Sequence, residues 1–386
     1  MIPIKYNVRN LRVRWKTTLM TVLGTALLVA SSCILFGLVE GLEHSLKVSG
    51  DPLDLIVLRK GATAETTGGF ESKKADELLT LNGILRDGDG PVAAKELLNI
   101  PVAERLSGAF NNLILRGVEP ASRKLRPEFK IVAGRDFESG KGECIVSQSL
   151  AGAYKGAQVG GQLVFGEKEK YRVVGLFTAG GSSAESEIWA DLKDVERNTG
   201  RDGSVSCVQI RAAGPAEFDQ LRKEIEDGAQ FRLAAKPEAE YFATQSDAST
   251  FFKAAGTLIA VLLTFGAMFA AANTMFSAVK SRTREIGTMR ALGFSRSDVL
   301  LSFLGESLLL SLLGGGLGLL ATLPMSLLSI ETMNGNTFAS VNINFRFGYW
   351  VMAVALSMTL VMGLFGGMLP ALRAVRLEVI AALREL

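Results

Sequence analysis

The sequence predicts a membrane protein of mixed class: four transmembrane helices carrying one large α/β (α+β) domain on the far side of the bilayer. Three observations carry this prediction. Four charge-free apolar runs, Thr17–Val39, Ala254–Val279, Ser307–Ile330 and Phe347–Leu372, each reach the ~20 residues that a helix needs to cross a bilayer. Cations gather at alternate ends of these runs. The 214 residues from Glu40 to Lys253 between the first two runs exceed the usual ~100–150 for a domain and break into short β-rich and helical stretches.

Taken in order, residues 1–16 form a basic leading segment with Lys5, Arg9, Arg12, Arg14 and Lys16 and no acid. Residues 17–40 are the first span. A cleavable signal peptide is the rival reading, because Ala30-Ser31-Ser32-Cys33 resembles a lipoprotein box, but apolar residues continue through Ile34, Leu35 and Phe36, beyond the length of a cleavable core. The first span is therefore expected to stay as an anchor.

Residues 41–250 form the outer domain. β-rich runs (Asp54–Leu58, Asn112–Val118, Gln162–Phe177 and Val205–Arg211) alternate with helical stretches at Lys73–Leu79 and Ala216–Ile225, the last with Phe218, Leu221 and Ile225 at helical spacing. Gly61–Gly69 is expected to be a mobile loop. Residues 251–279 are the second span, 280–298 a basic link, 299–328 the third span, 329–346 a short outer link, 347–372 the fourth span and 373–386 a tail.

Lys and Arg resist translocation, whereas long domains cross largely regardless of charge. The 280–298 link carries Lys280, Arg282, Arg284, Arg290 and Arg296, and the tail carries Arg373, Arg376 and Arg384, while the 329–346 link sets only Arg346 against Glu331. Both termini are therefore expected in the cytoplasm, in a multi-pass inner-membrane protein with a periplasmic outer domain. A net charge of +3 with cations confined to membrane edges gives no reason to expect nucleic acid.

Catalysis finds little support. His44 is the single histidine, without the neighbouring Cys or second His of a metal site. Ser147 and Ser149 lack a histidine close in sequence. Cys144 and Cys207 lie in strand-like runs on the oxidising side, where a disulfide is permitted but buried free thiols are slightly favoured. Gly134–Lys141 has one residue too many for a phosphate-binding loop and is followed by Gly142. No catalytic, cofactor or metal residue is assigned, and ATP and Mg are expected on a partner ATPase.

Within the spans, Glu306 stands ~12 Å into the third helix, either linked to a neighbouring span or the basic segment, or snorkelling to the interface. Gly37 and Gly41, Gly314 and Gly318, and Gly363 and Gly367 are spaced four apart, which permits close helix approach without naming the partner helix. In the basic link, Arg282–Leu292 is predicted to be a short helix with Ile286 and Met289 on one stripe and Arg282 spaced for contact with Glu285. Gly293 would cap it in the left-handed region. Ser295 with Asp298 would start the third span as a capping box.

Arg284-Glu285-Ile286-Gly287-x-x-Arg290-Ala291-x-Gly293, followed by Glu306 and a glycine-rich third span, resembles the permease signature of the MacB/FtsX-like (type VII) ABC transporters, which include the lipoprotein-releasing permeases. Leu115–Pro120, Gly134–Phe137, Glu143–Ala151, Glu187–Leu192 and the tail Leu369–Arg384 resemble that family in the expected order. The resemblance implies two permease chains, as a homodimer or else a heterodimer, working with cytoplasmic ABC ATPase subunits through a coupling helix to which Arg284, Glu285, Gly287, Met289, Arg290 and Gly293 would contribute. It implies a porter-like subdomain at about 45–106 and 191–245, with a β-rich insertion at about 107–190. MacB fuses its ATPase to the permease, so a separate ATPase is expected here, with a periplasmic adaptor and outer-membrane channel as further partners. The expected role is mechanotransmission for export or extraction of an envelope substrate. The alternative is an FtsX-like membrane protein that regulates a periplasmic enzyme; an ion-coupled carrier is disfavoured by the scarcity of intramembrane charge.

Overall fold

The structure, a computed structural model, describes residues 13, 15–48, 50–166, 169–228, 230–245, 247–333 and 340–377. Most of the basic leading segment and the end of the tail, Arg384 included, lie outside the described residues. The chain forms two compact units: one takes residues up to Gly41, Thr250–Leu328 and those from Phe345 onward, the other Leu42–Ser249 and Ser329–Asn344.

The four apolar runs are helices in the membrane unit, long and apolar enough to cross a bilayer at Trp15–Ser45, Lys253–Ser281, Arg296–Leu327 and Tyr349–Val375. Two helices outrun their apolar stretches. The first, α1, spans Trp15–Val48, and the second spanning helix begins at Asp247, so each continues for about two turns beyond the hydrocarbon-length segment. Cys33 and Phe36 of α1 meet Ala260 and Ala267 of the second span and Ala355, Met358 and Met362 of the fourth.

In the outer unit, helices α2 (Ser72–Leu78), α3 (Gln148–Ala151), α4 (Leu192–Thr199), α5 (Pro215–Asp227) and α6 (Glu238–Gln245) accompany a ten-stranded mixed sheet. Its strands are β1 (Asp54–Arg59), β2 (Ala93–Asn99), β3 (Ile114–Val118), β4 (Phe129–Gly134), β5 (Glu143–Ser147), β6 (Gln162–Val164), β7 (Lys170–Ala179), β8 (Glu187–Asp191), β9 (Cys207–Arg211) and β10 (Leu233–Pro237). The order is β6-β7-β5-β8-β3-β2-β9-β1-β10, with β4 also on β7. The β5–β7 and β3–β8 pairs are parallel. One sheet thus runs through both the flanking sequence and the expected 107–190 insertion, and the crossing between its two halves is the antiparallel β2–β3 pairing at Leu97↔Gly117, Leu98↔Arg116 and Asn99↔Leu115.

Alternation along each strand divides the core. Leu55 and Val57 of β1 pack with Leu221 and Ile225 of α5, burial worth about 1.5–3 kcal/mol per large side chain. Ile56 and Leu58 point to the other face, with Cys207 and Tyr241. In the other half, Cys144, Val146, Ile188 and Ala190 face α3 and α4, whereas Trp189 turns the opposite way and stacks on Phe129 at 4.9 Å. Cys144 and Cys207 are buried free thiols.

Gly61–Gly69 is a loop, and part of it is buried. Ala64 and Glu65 are buried, the Glu65 backbone N–H donates to the Tyr241 hydroxyl at 3.2 Å, and the Glu65 carboxylate pairs with Arg116 at 2.9 Å. Its glycines and threonines signalled a loop, but one charged side chain of distant partner pins it.

Candidate functional site

The basic link forms around three local signals. The second spanning helix, α7 (Asp247–Ser281), ends at Arg282, which leaves helical geometry at φ −118° and opens α8, Thr283–Ala291. Gly293 at φ +94° follows, a conformation that costs a residue with a Cβ and suits glycine. Ser295 then accepts from the Asp298 N–H while Asp298 accepts from the Ser295 N–H, a complete capping box at the start of α9, Arg296–Thr322. Two orphan helix donors are satisfied by two adjacent side chains.

α8 has an inward and an outward face. Ile286, 1% exposed, and Met289 pack against Met275, Val279, Val299, Phe303 and Ala371, so the short helix is bolted to three spanning helices: α7, α9 and α10 (Tyr349–Val375). Arg284, Glu285, Thr288 and Leu292 are exposed, and Leu292 is 74% exposed. Of the six residues expected at an ATPase contact, Arg284, Glu285 and Gly293 are therefore outward. Gly287 is buried and Met289 and Arg290 are half-buried; these three shape the seat rather than the presented surface. The Arg290 Nε is enclosed without a hydrogen-bond partner among the described residues.

Arg282 reaches from the link to the third spanning helix. Its Nη1 donates to Glu306 Oε2 at 2.8 Å, and both side chains are buried. The Glu306 carboxylate is thereby tied to the residue just before α8, joining the basic link to α9. The pair realises one of the two links expected for Glu306, that to the basic segment, rather than snorkelling to the interface.

The glycine pairs are used inside the chain. A Cβ at Gly314 would stand 2.6 Å from Thr25 Cβ and one at Gly318 2.6 Å from the Ala26 carbonyl oxygen, both on α1. Gly363 and Gly367 meet α9, where a Cβ would come within 3.0 Å of Leu308 Cα and 2.5 Å of Ser307 Cβ respectively. Ser307 Oγ also donates to the Gly363 carbonyl at 2.8 Å. These close approaches knit one chain's own bundle.

Sequence reading missed the second charged centre. Arg116 of β3 is 4% exposed and pairs with Glu187 at 2.7 Å, Glu65 at 2.9 Å and Glu96 at 2.6 Å. Arg126 joins Glu96 at 2.7 Å and lies over the Trp189 ring, whose Nε1 donates to Glu187. Burial opposes ionisation of Glu96, but the guanidiniums of Arg126 and Arg116 outweigh it and hold its pKa at about 2. Glu65, Glu96 and Cys207 place three ligand atoms close together, yet the Arg116 guanidinium already supplies the positive charge among these carboxylates. Burial and then Glu65 push the Cys207 thiol well up, against a thiolate ligand. Ser147 is likewise engaged structurally: its hydroxyl donates to Glu185 at 2.8 Å. Beside Arg116 and Arg126 a cavity of about 150 Å³ is lined by Glu187, Glu238 and Phe242; burial and then Asp54 raise Glu238 to about 8.

Four helices long and apolar enough to cross a bilayer, a basic link seated on three of them and a mixed α/β unit make this a membrane-protein architecture. The comparisons specify it. The MacB-like periplasmic core domain profile matches residues 18–227 and the FtsX-like permease C-terminal profile matches residues 257–379, so the chain belongs to the MacB/FtsX-like ABC transporter permease family. The macrolide export ATP-binding/permease protein MacB of Bdellovibrio bacteriovorus is 25% identical over 297 residues, covering 71% of this chain and 44% of that protein. MacB of Nitrosomonas europaea is 24% identical over 401 residues, covering 96% of this chain and 58% of that protein. The chain thus spans about half the length of these curated relatives. The periplasmic region of MacB from Actinobacillus actinomycetemcomitans shares 10% identity, with coverage of 53% of this chain and 98% of that one, at a TM-score of 0.39.

Proposed function

We propose that this chain is the permease subunit of an inner-membrane ABC transporter and transmits ATPase-driven movement to its outer domain, for export or extraction of an envelope substrate. The observation that carries this reading is α8. It is anchored by Ile286 and by the Arg282–Glu306 pair, yet it presents Arg284, Glu285, Thr288 and Leu292 outward. A push on that face is passed to three helices at once because packed interiors resist compression. The cation distribution supports a cytoplasmic position for this face and for both termini.

ATP is hydrolysed by an ATPase outside these 386 residues; the relatives' names join ATP binding to permease, and this sequence has no complete phosphate-binding loop. A second copy of the chain completes the permease. Its contact lies away from the Gly314, Gly318, Gly363 and Gly367 seams, which the chain fills itself. An adaptor and outer-membrane channel would extend the path outward.

Charge reversal tests the reading. In membranes containing the chain and its co-purified ATPase, Glu285→Lys is expected to leave basal ATP hydrolysis intact and to lower substrate-linked turnover at least tenfold, with the chain still folded. Unchanged coupling would refute α8 as the input.

A further inference from the structure

The link between the third and fourth spans is more than a connector. Strands β11 (Ser329–Met333) and β12 (Ser340–Asn344) pair antiparallel with Glu331 opposite Asn342, and both belong to the outer unit. The Glu331 side chain is 11% exposed. It accepts hydrogen bonds from Arg105 Nη1, from the Tyr154 hydroxyl and, at 2.9 Å, from Asn111 Nδ2. The Arg105 guanidinium also lies 5.4 Å from the centre of the Tyr154 ring. On the facing strand, the Asn342 N–H donates to Ser186 Oγ at 2.8 Å, and Ile343 is 4% exposed.

Tyr154 packs in the core under β5, β7 and β8, and Ser186 immediately precedes β8. The hairpin therefore holds the β5–β7–β8 half of the sheet. The other half receives the chain from α1 and returns it to α7. There the Asp51 N–H donates to Glu238 Oε2 at 3.3 Å, and Gly50 lies so close to the start of α6 that a Cβ would stand 2.8 Å from Ala239 Cα. Each half is attached to a different pair of spanning helices, and the sheet crosses between the halves at three β2–β3 residue pairs beside Arg116.

We infer that Glu331 is a positioning residue, whose carboxylate, seated among Arg105, Asn111 and Tyr154, fastens the α9–α10 pair to one half of the outer sheet while α1 and α7 hold the other. A carboxylate gripped by a guanidinium and two neutral donors is a charge-assisted, directional attachment. Removing it strands the Arg105 and Tyr154 donors in a partly closed site. The inference rests on the transmission reading, since it makes α9–α10 a second line by which movement reaches the outer domain.

Ile343→Cys in the full chain, embedded in membranes, provides the test through its rate of maleimide modification; Cys33, Cys144 and Cys207 are buried and give a low background. Adding Glu331→Leu is expected to raise the rate at least tenfold. The swap Glu331→Arg with Arg105→Glu is expected to return it toward the slow rate, which a merely unfolded hairpin would not do. An unchanged rate in Glu331→Leu, or a fast rate in the swap, overturns the attachment. ATP-coupled turnover of Glu331→Leu then separates the two ideas: fast labelling with full coupling keeps the attachment and sinks transmission through it.

Discussion

Arg116 and Arg282 are both buried arginines, and they are held in opposite ways. Arg116 meets three carboxylates, and one of these, Glu96, is shared with Arg126. Arg282 meets Glu306 through a single contact of 2.8 Å. The first arrangement is over-determined: each acid has a cation, the donors of Arg116 are filled, and moving any member strands another. The second is one pair, at the point where α8 follows α7. The network ties several strands of the sheet together, whereas the single pair ties one helix start to a neighbouring helix.

The largest expected effect breaks the network. Arg116→Leu leaves Glu65, Glu96 and Glu187 buried together and is expected to cost about 3–5 kcal/mol, read as loss of amide-exchange protection in β2 and β3. Protection equal to the parent protein would show that the hub is dispensable.

The next effect is a pH response confined to the outer unit. Folded Glu238 holds its proton to about pH 8, whereas its ordinary value is 4.5. Between those values the folded state binds more protons than the unfolded one, so stability falls as pH rises, at roughly 1 kcal/mol per pH unit. Glu96 acts in the opposite sense: held at about 2, it contributes fully above 4.5 and loses that contribution as pH falls toward 2. Glu238→Gln is expected to flatten the decline between pH 5 and 8, measured by exchange in peptides from residues 233–245. A decline of the same slope in the variant would assign it to other groups.

The smallest effect concerns the single pair. Arg282→Leu or Glu306→Leu alone is expected to cost about 1–2 kcal/mol, and the double variant to recover most of it, because two apolar residues strand no charge. Resistance of the membrane unit to detergent unfolding reports this. Losses that simply add in the double variant would show that the two residues do not interact.

Legibility followed the range of each signal. The four spans, the α8 helix, the left-handed Gly293 and the Ser295–Asp298 capping box were readable because each depends on residues within a few positions of one another. The helical stretch at Pro215–Asp227 was readable from its apolar spacing, and the one near Ser72–Leu78 was expected beside it. The seating of Gly61–Gly69 through Glu65 was not readable, because its partner Arg116 lies 51 positions from Glu65. Arg116, Glu187 and Glu331 carry no local mark: an arginine inside a β-rich run is ordinary until its partners are brought beside it, and Glu331 looked like a lone acid in a short link. A search for charged residues at inward positions of alternating strands would have raised Arg116 and Glu187.

By itself the sequence determined which segments are long and apolar enough to cross a bilayer, where the helices of the basic link begin and end, and which family motifs stand in order, because hydrophobic length, capping and glycine backbone freedom are local properties. Only the tertiary structure decided that Arg282 answers Glu306, that the glycine seams close within one chain, that Arg116 stitches the two halves of the sheet, and that Glu331 seats in the outer domain. Those are pairings between residues far apart in the chain. Burial makes each partner obligatory, since an unpaired charge out of water is costly, but which partner it finds is fixed by the fold.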